Sequence, residues 1–406
     1  MIRTFHHTLL ALLLGSASLA NAANAANAVN AVNAVNAADA ADEPGFKSIF
    51  NGQDLTGWDG RPGFWSVKDG HIRGETTPAN RAPGNTFLIW RDGTLKNFEL
   101  KLRYRILTGN NSGVQYRSRE TDKWVVTGYQ AEIENKLGKT GFLYHEAGRG
   151  WLTDVGDFME IAPDGKLDVV GVVANPKAIF AAPYHTDKEW NEYHFICRGN
   201  HIVQHINGYQ TIELIDNQVD KADPKSPKQR LMEGILALQI HGGGPMTVDF
   251  KDIRLKVLAE NFGEARRLFN GVDLTGWKDA DGKWSVAPLS EGAESSRRTK
   301  PSGPLNVLKC AGGGKVPMMT PAPTGGSFVL RLQRRAAGDE KTGGDSTMKS
   351  VLGWESWEME VKTSKVVALR VNGVESKAKP PLEWASIALP SDVAAEYRNI
   401  VLIPIQ

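Results

Sequence analysis

The chain is 406 residues long, 41% hydrophobic and 23% charged, with a formal net charge of +2. That length exceeds one ordinary core and predicts two globular domains, while a near-neutral charge without a basic, aromatic-interleaved run speaks against nucleic acid as a partner. Two cysteines, Cys197 and Cys310, exclude a disulfide-built scaffold and a thiolate-rich zinc site.

The amino terminus, "MIRTFHHTLLALLLGSASLANA", places Arg3 ahead of an apolar run from Leu9 to Leu14 and ends on Ala20-Asn21-Ala22, a small-x-small cleavage pattern. Residues 1–22 are therefore expected to be a secretory signal peptide and the protein to be exported, periplasmic or extracellular. The run is far shorter than the roughly 20 residues of a spanning helix, so no membrane span is expected. Residues 23–45 continue a triplet pattern with Asn at every third position up to Asn36 and no apolar face, as in a disordered Ala/Asn-rich linker.

Strand signals dominate the rest. "NFELKLRYRIL" sets Phe98, Leu100, Leu102, Tyr104 and Ile106 at every second position with polar residues between, the alternation of a half-buried antiparallel strand. "SGVQYRSRE" and "GYQAEIEN" alternate similarly. "NHIVQHINGYQTIEL" carries Asn207-Gly208 between two strand-like runs, a two-residue hairpin signal. "GILALQIHGGGPMTVDFKDIRLKVL" reads as two strands around a glycine corner. Many short strands with turns between them predict an all-β sandwich or jelly roll.

The phrase F-N-G-x-D-L-T-G-W occurs twice, at 50–58 and 269–277. Later phrases pair as well: "FWSVKDG" with "KWSVAPL", "NFELKLRYR" with "SFVLRLQRR", "HINGYQ" with "RVNGVE", and "VDFKDIRL" with "AEYRNIVL". One domain is thus expected over 46–258 and a shortened second β-sandwich copy over 263–406, with the missing length taken from its middle. Trp58, Trp65 and Trp277 belong to the shared frame and are assigned to the core.

The middle of the first copy holds a polar set that the second lacks. On a strand, Gln130, Glu132 and Glu134 share one face and Ala131 and Ile133 the other. Taken alone, such a row is more often the wet face of an edge strand. Its neighbours strengthen a functional reading: His145, Glu146 and Arg149 lie among glycines, His241 precedes three glycines, and Arg117 ends a strand begun by Asn111-Ser112-Gly113. His241 is equally readable as a hydrogen-bonded corner residue, and Arg117 as an ion-pair partner of Glu132 or Glu134. A surface indole, Trp124 or Trp151, is a candidate for stacking on a sugar.

Together "FNGQDLTGW", "WSVKDG", "NFELKLRYR", "NSGVQYR", "GYQAEI", "EWNEYHF", "INGYQ" and "LQIHGGGPMTVDFKDIRL" resemble, in order and over residues 46–258, the 3-keto-disaccharide hydrolase domain family. That resemblance implies a concanavalin A-like jelly roll acting on a small-molecule or oligosaccharide substrate already oxidised to a ketone at sugar carbon 3. A base removes the acidified carbon 2 proton, the enolate expels the aglycone from carbon 1, and water adds to the product. Glu132 or His145 is the candidate base; Arg149 and His241 are candidate catalytic partners. Asn111, Ser112, Arg117, Gln130, Glu134 and Trp151 are candidate substrate-binding residues. A divalent metal held by some of Glu132, His145 and His241 is a candidate cofactor, although no spacing is diagnostic. The second copy, lacking these phrases, is expected to be catalytically silent. Two alternatives stay open: a retaining glycoside hydrolase using Glu132 and Glu134, and a carbohydrate-binding module without turnover.

Overall fold

The computed structural model describes residues 43–109, 111–135, 140–174, 184, 188–289, 298–314, 318–321, 326–336, 354–363, 365–376, 386–389 and 393–406; the expected signal peptide and most of the linker lie outside them. The described residues contain strands and no helix. Lys47–Gln406 forms one compact unit.

Two antiparallel-rich sheets make a leading jelly-roll sandwich. The first runs β12 (Leu167–Val172), β11 (Asp157–Ile161), β15 (Tyr209–Asp216), β14 (His201–Ile206), β13 (Asn191–Arg198), β6 (Phe98–Thr108), β17 (Met246–Val257), β4 (His71–Thr76) and β3 (Trp65–Lys68), with β1 (Lys47–Ser48) also on β17. The second runs β10 (Gly150–Thr153), β9 (Leu143–Glu146), β8 (Val125–Glu134), β7 (Asn111–Asp122), β16 (Ile235–Ile240), β5 (Thr86–Trp90) and β2 (Trp58–Gly60). Their facing sides form the core. Phe98, Leu100, Leu102, Tyr104 and Ile106 meet Val114, Tyr129, Ala131, Ile133 and Leu238 there, all buried, which is the alternation that β6 and β8 carry in sequence. Asn207 and Gly208 take φ of 51° and 83°, the left-handed pair that turns β14 into β15.

A third sheet follows: β19 (Trp284–Pro288), β20 (Asn306–Cys310), β27 (Ala395–Pro404), β22 (Phe328–Ala336), β23 (Glu355–Lys362), β24 (Lys365–Val371) and β25 (Val374–Glu375), with β18 (Arg266–Arg267) also on β27. Strand for strand this is the order β3, β4, β17, β6, β13, β14, β15, with β1 on β17. Turn chemistry repeats too. Asn51 donates to Asp54 at 2.8 Å and Trp58 Nε1 to the Ile49 carbonyl at 2.9 Å; Asn270 donates to Asp273 at 2.8 Å and Trp277 Nε1 to the Leu268 carbonyl at 2.9 Å. The described residues of the trailing part add only β21 (Met318–Pro321) paired antiparallel with β26 (Ser386–Leu389), which stand in chain order and pairing where β5 and β16 stand in the seven-stranded sheet; none of them corresponds to β7, β8, β9 or β10. Cys197 and Cys310 are buried free thiols.

Alternation also explains how the trailing sheet sits. On β22, Phe328, Leu330 and Leu332 enter its own core, whereas Val329 joins Val401 and Ile403 against Phe158, Val173, Ala174 and Ile215 of the leading sandwich. Arg331, on that same side, pairs with Glu358 at 3.0 Å; Glu358 also takes a two-pronged contact from Arg198 of β13 at 2.8 and 3.0 Å. The ten-stranded sheet is therefore covered on both faces, by the groove-bearing sheet and by the trailing one.

Removing one partner of a buried pair leaves the other charge desolvated and uncompensated, which costs roughly 3–5 kcal/mol. Glu358→Ala leaves Arg198 with only Glu99 at 3.7 Å and Arg331 with only Glu213 at 3.9 Å, so it is expected to lower the urea midpoint by an amount toward the lower end of that range, whereas Glu375→Ala, on the exposed last strand of the trailing sheet, leaves it unchanged.

Candidate active site

The outward face of the seven-stranded sheet carries a groove of about 290 Å³ lined by Asn85, Asn111, Gln130, Glu132, Glu134, Phe142, Tyr144, Glu146, Trp151, Gln239 and His241. Strand parity and register assemble it. Antiparallel pairing sets Gln115 opposite Gln130, Gly113 opposite Glu132 and Asn111 opposite Glu134, and β9 sets Tyr144 opposite Gln130. The strand that carries Glu132 is interior to its sheet, and Gln130 and Glu132 are only 2% and 5% exposed, so the reading of that row as the wet face of an edge strand does not hold.

A chain of amides holds Glu132. Ser118 Oγ donates to Gln115 Oε1 at 2.8 Å, Gln115 Nε2 to Gln130 Oε1 at 2.6 Å, and Gln239 Nε2 to the same oxygen at 3.0 Å. With its carbonyl taken twice, the Gln130 amide must point its Nε2 at Glu132 Oε2, 2.9 Å away. Asn111 Nδ2 donates to Glu132 Oε1. Gly113 makes room for this: a Cβ there would meet the Gln130 side chain at 2.7 Å. Burial pushes the Glu132 carboxyl up to about 7; the two amide donors oppose the rise and the charges of Glu134 and Glu146 add to it. Asn111 Oδ1 is buried with no hydrogen-bond partner among the described residues. A flip of that amide therefore offers an acceptor when Glu132 Oε1 carries a proton.

Glu146 faces the groove from β9 and accepts from Asn85 Nδ2 at 2.9 Å; burial raises its carboxyl, with the Asn85 bond and the His241 charge opposing. His241 is exposed on the rim with Nδ1 2.7 Å from the Gly242 carbonyl. A hydrogen on Nδ1 satisfies that contact.

Four expected site residues lie elsewhere. His145 is wholly buried on the opposite face of β9, stacked on Tyr129 with centroids 5.7 Å apart, and its Nδ1 accepts from Arg149 Nε at 2.7 Å. Burial and the Arg149 charge hold it down to about 3, a neutral imidazole. Parity explains the correction: Tyr144 and Glu146 point into the groove, so His145 cannot. Arg149 is bound to Asp216 at 2.7 Å and does not line the groove. Arg117, 1% exposed, donates to the carbonyls of Lys96 and Gly199 and so ties loops together; it pairs with neither glutamate in any described contact. Ser112 is buried with its hydroxyl on the Gln239 carbonyl. The expected metal trio does not converge, because His145 is turned away, and no group of three or more His, Cys, Asp or Glu side chains among the described residues is placed to hold a metal ion. Trp151 lines the groove; Trp124 does not, its indole bonding Asp59 at 3.0 Å. Sequence reasoning missed Asn85, Phe142, Tyr144 and Gln239. Gln239 stands two residues before His241 on the same strand-end parity, a signal that was available.

Among known proteins, the profile of the 3-keto-alpha-glucoside-1,2-lyase-like domain matches residues 45–256, just over half of the chain. No curated protein matches. A suggested glycosyl hydrolase from Parabacteroides distasonis is similar in structure at 21% identity, over 53% of this chain and 94% of that one, with a TM-score of 0.35. A carbohydrate-binding module from Bacillus subtilis is similar at 15% identity, over 50% and 96%, at 0.32. An endo-β-galactosidase from Clostridium perfringens is similar at 11% identity, over 90% and 98%, at 0.30.

Because the folded Glu132 carboxyl titrates near 7 against an ordinary 4.5, the folded state binds the proton more tightly than the unfolded chain. Its contribution is therefore lost as pH rises from about 4.5 to about 7, and above that the ionised group is a standing penalty. Glu132→Gln removes this penalty, its new amide donating to a flipped Asn111. At roughly 1.4 kcal/mol per pKa unit, the variant is expected to gain up to about 3 kcal/mol over wild type at pH 8 and nothing at pH 4. Urea midpoints of the two proteins at both pH values measure it, and a pH-independent difference would refute the assignment.

Proposed function

The chain belongs to the 3-keto-alpha-glucoside-1,2-lyase-like domain family, and from that premise we propose that its groove cleaves 3-keto-glycosides by elimination across sugar carbons 1 and 2. One observation carries the reading: a single carboxyl, Glu132, stands on the groove floor with its oxygens fixed by amides and its proton affinity near neutrality. That is the setting for a general base at neutral pH.

The step balances without an added oxidant. The ionised Glu132 takes the carbon 2 proton, and the electron pair moves into the enolate of the carbon 3 ketone. On collapse the ketone re-forms, a double bond forms between carbons 1 and 2, and the bond from carbon 1 to the glycosidic oxygen breaks. His241 at the rim, entering as the imidazolium, gives that oxygen its Nε2 proton and is left neutral with its hydrogen on Nδ1 toward the Gly242 carbonyl. Addition of water across the new double bond then completes net hydrolysis. Asn111 serves Glu132 twice, donating to the carboxylate before proton transfer and, once flipped, accepting from the acid afterwards. Glu134 and Glu146 keep the groove acidic and hold the Glu132 proton affinity high. The carbohydrate substrate, export from the cytoplasm and a silent trailing part belong to the same proposal. Support for the last is that the trailing sheet repeats the order of the ten-stranded sheet while no described strand there corresponds to β7, β8 or β9, which carry Asn111, Gln130, Glu132 and Glu146.

With a 3-keto-glucoside, kcat/KM is expected to rise with pH through about 7, as Glu132 ionises. Glu132→Gln is expected to lower it roughly 10²- to 10⁴-fold. His145→Gln should keep the same inflection, since its imidazole never reaches the sugar. In deuterated water the released sugar should carry deuterium at carbon 2. Equal cleavage of the unoxidised glucoside, or no exchange at carbon 2, would refute the elimination.

A further inference from the structure

Among the described residues, Arg298 of the trailing part reaches a groove-lining side chain. Trp151 lines the groove, and its indole is covered on both faces. The Phe142 ring stacks on it with centroids 3.6 Å apart and 16° between planes, and the Arg298 guanidinium lies over it with Cζ 3.6 Å from the ring centre. Two groups at that distance from one ring centre cannot share a face. A single carboxylate locks the arrangement: Asp154 accepts from Trp151 Nε1 at 2.9 Å through Oδ1 and from the Arg298 backbone N–H at 2.7 Å through Oδ2. Four residues on, the Ser302 N–H donates to Asp168 Oδ1 at 2.9 Å, a second anchor of the same segment on the leading sandwich.

An indole beside a carbohydrate groove offers a flat apolar face on which a further sugar ring can lie. Here that face is taken by a cation held in place from a different part of the chain. We propose that Arg298 is a specificity-determining residue: it caps the Trp151 platform and confines the groove to short glycosides. The groove volume agrees, because about 290 Å³ falls just under the roughly 300–1,000 Å³ usual for small-molecule sites. Arg298 does not itself line the groove; it acts through Trp151, whose face a longer glycoside would need free. The trailing part thus acts on substrate choice while contributing nothing to proton transfer.

The proposal rests on the groove being a carbohydrate site but not on the keto chemistry, so its test uses unoxidised sugars, which the elimination leaves intact. Cellobiose to cellohexaose and maltose to maltohexaose are titrated calorimetrically into wild type, Arg298→Ala and the Arg298→Ala/Trp151→Ala double variant of the full chain. Melting temperatures confirm that all three fold. Wild type is expected to gain nothing beyond the disaccharide. Arg298→Ala is expected to bind the tetrasaccharide of one series about tenfold more tightly than its disaccharide, a difference of about 1.4 kcal/mol, and the double variant is expected to lose that gain. The same length dependence in wild type and Arg298→Ala, or no binding by Arg298→Ala, overturns the cap. Failure of the keto-sugar assay with these binding results intact would count against the elimination alone.

Discussion

The orientation of one side-chain amide decides what the groove can do. Gln130 has a single carbonyl oxygen and it receives two donors, Gln115 and Gln239, from the strands on one side. Its N–H groups are then committed to Glu132, which must present oxygen to them. If either donor were missing, the Gln130 amide would be free to turn, and the carboxyl would face a carbonyl across low-dielectric space. Buried polar networks of this kind are costly when half satisfied and rigid when complete. Here the network leaves one adjustable member, Asn111, at the end where the proton arrives. One Glu132 oxygen is thus held rigidly by Gln130, and the other faces an amide that can present either donor or acceptor.

The network in turn depends on strand register. A slip of β8 by one residue against β7 would send Gln130 and Glu132 toward the core and bring Ala131 and Ile133 out, while Gln115 stayed behind on the groove face. Burial of that apolar set against the ten-stranded sheet therefore fixes the polar set on the opposite face. The ten-stranded sheet is itself held from behind, where Val329, Val401 and Ile403 pack on Phe158 and Ile215 and where Glu358 binds Arg198 and Arg331. A sheet of that size with one apolar face uncovered would be an aggregation surface. The trailing sheet removes that exposure, and a buried ion cluster fixes its register where apolar contacts alone would allow sliding.

Much of this was legible in the residues. Period-two alternation gives the core faces of β6 and β8, Asn207-Gly208 gives the hairpin, and the repeated F-N-G-x-D-L-T-G-W gives two matching turns with the same hydrogen bonds. The row Gln130, Glu132, Glu134 follows from parity within one strand. What parity within one strand cannot give is which face of the next strand shares the groove. His145 and Glu146 are neighbours in "YHEAGRG", and only the pairing of Tyr144 with Gln130 determines that Glu146 enters and His145 does not. Arg117 failed for a different reason: guanidinium donors suit a substrate oxygen and a loop carbonyl equally well, and the two loop carbonyls that claim it, Lys96 and Gly199, are remote in sequence. Asn85 and Arg298 had no local signal at all, since each is defined by what it reaches across the fold.

The trailing sheet repeats the strand order of the ten-stranded sheet, and among the described residues it carries no groove. The frame strands carry two sets of side chains, and in the trailing sheet both are used: Phe328, Leu330 and Leu332 inward, Val329 and Arg331 toward the neighbour. In the leading sandwich the second set of the ten-stranded sheet plays that same docking part, through Phe158, Arg198 and Ile215. Two sheets of matching strand order thus meet through their outward faces, and one of them also backs the groove. Once that contact exists, a second cup adds no cover to it. The strands between β22 and β27 are then free to shorten, and the segment around Arg298 is free to reach the rim of the cup that remains. The asymmetry fits the contact: outward faces that dock are present in both halves, and among the described residues the groove-bearing face is present in only one.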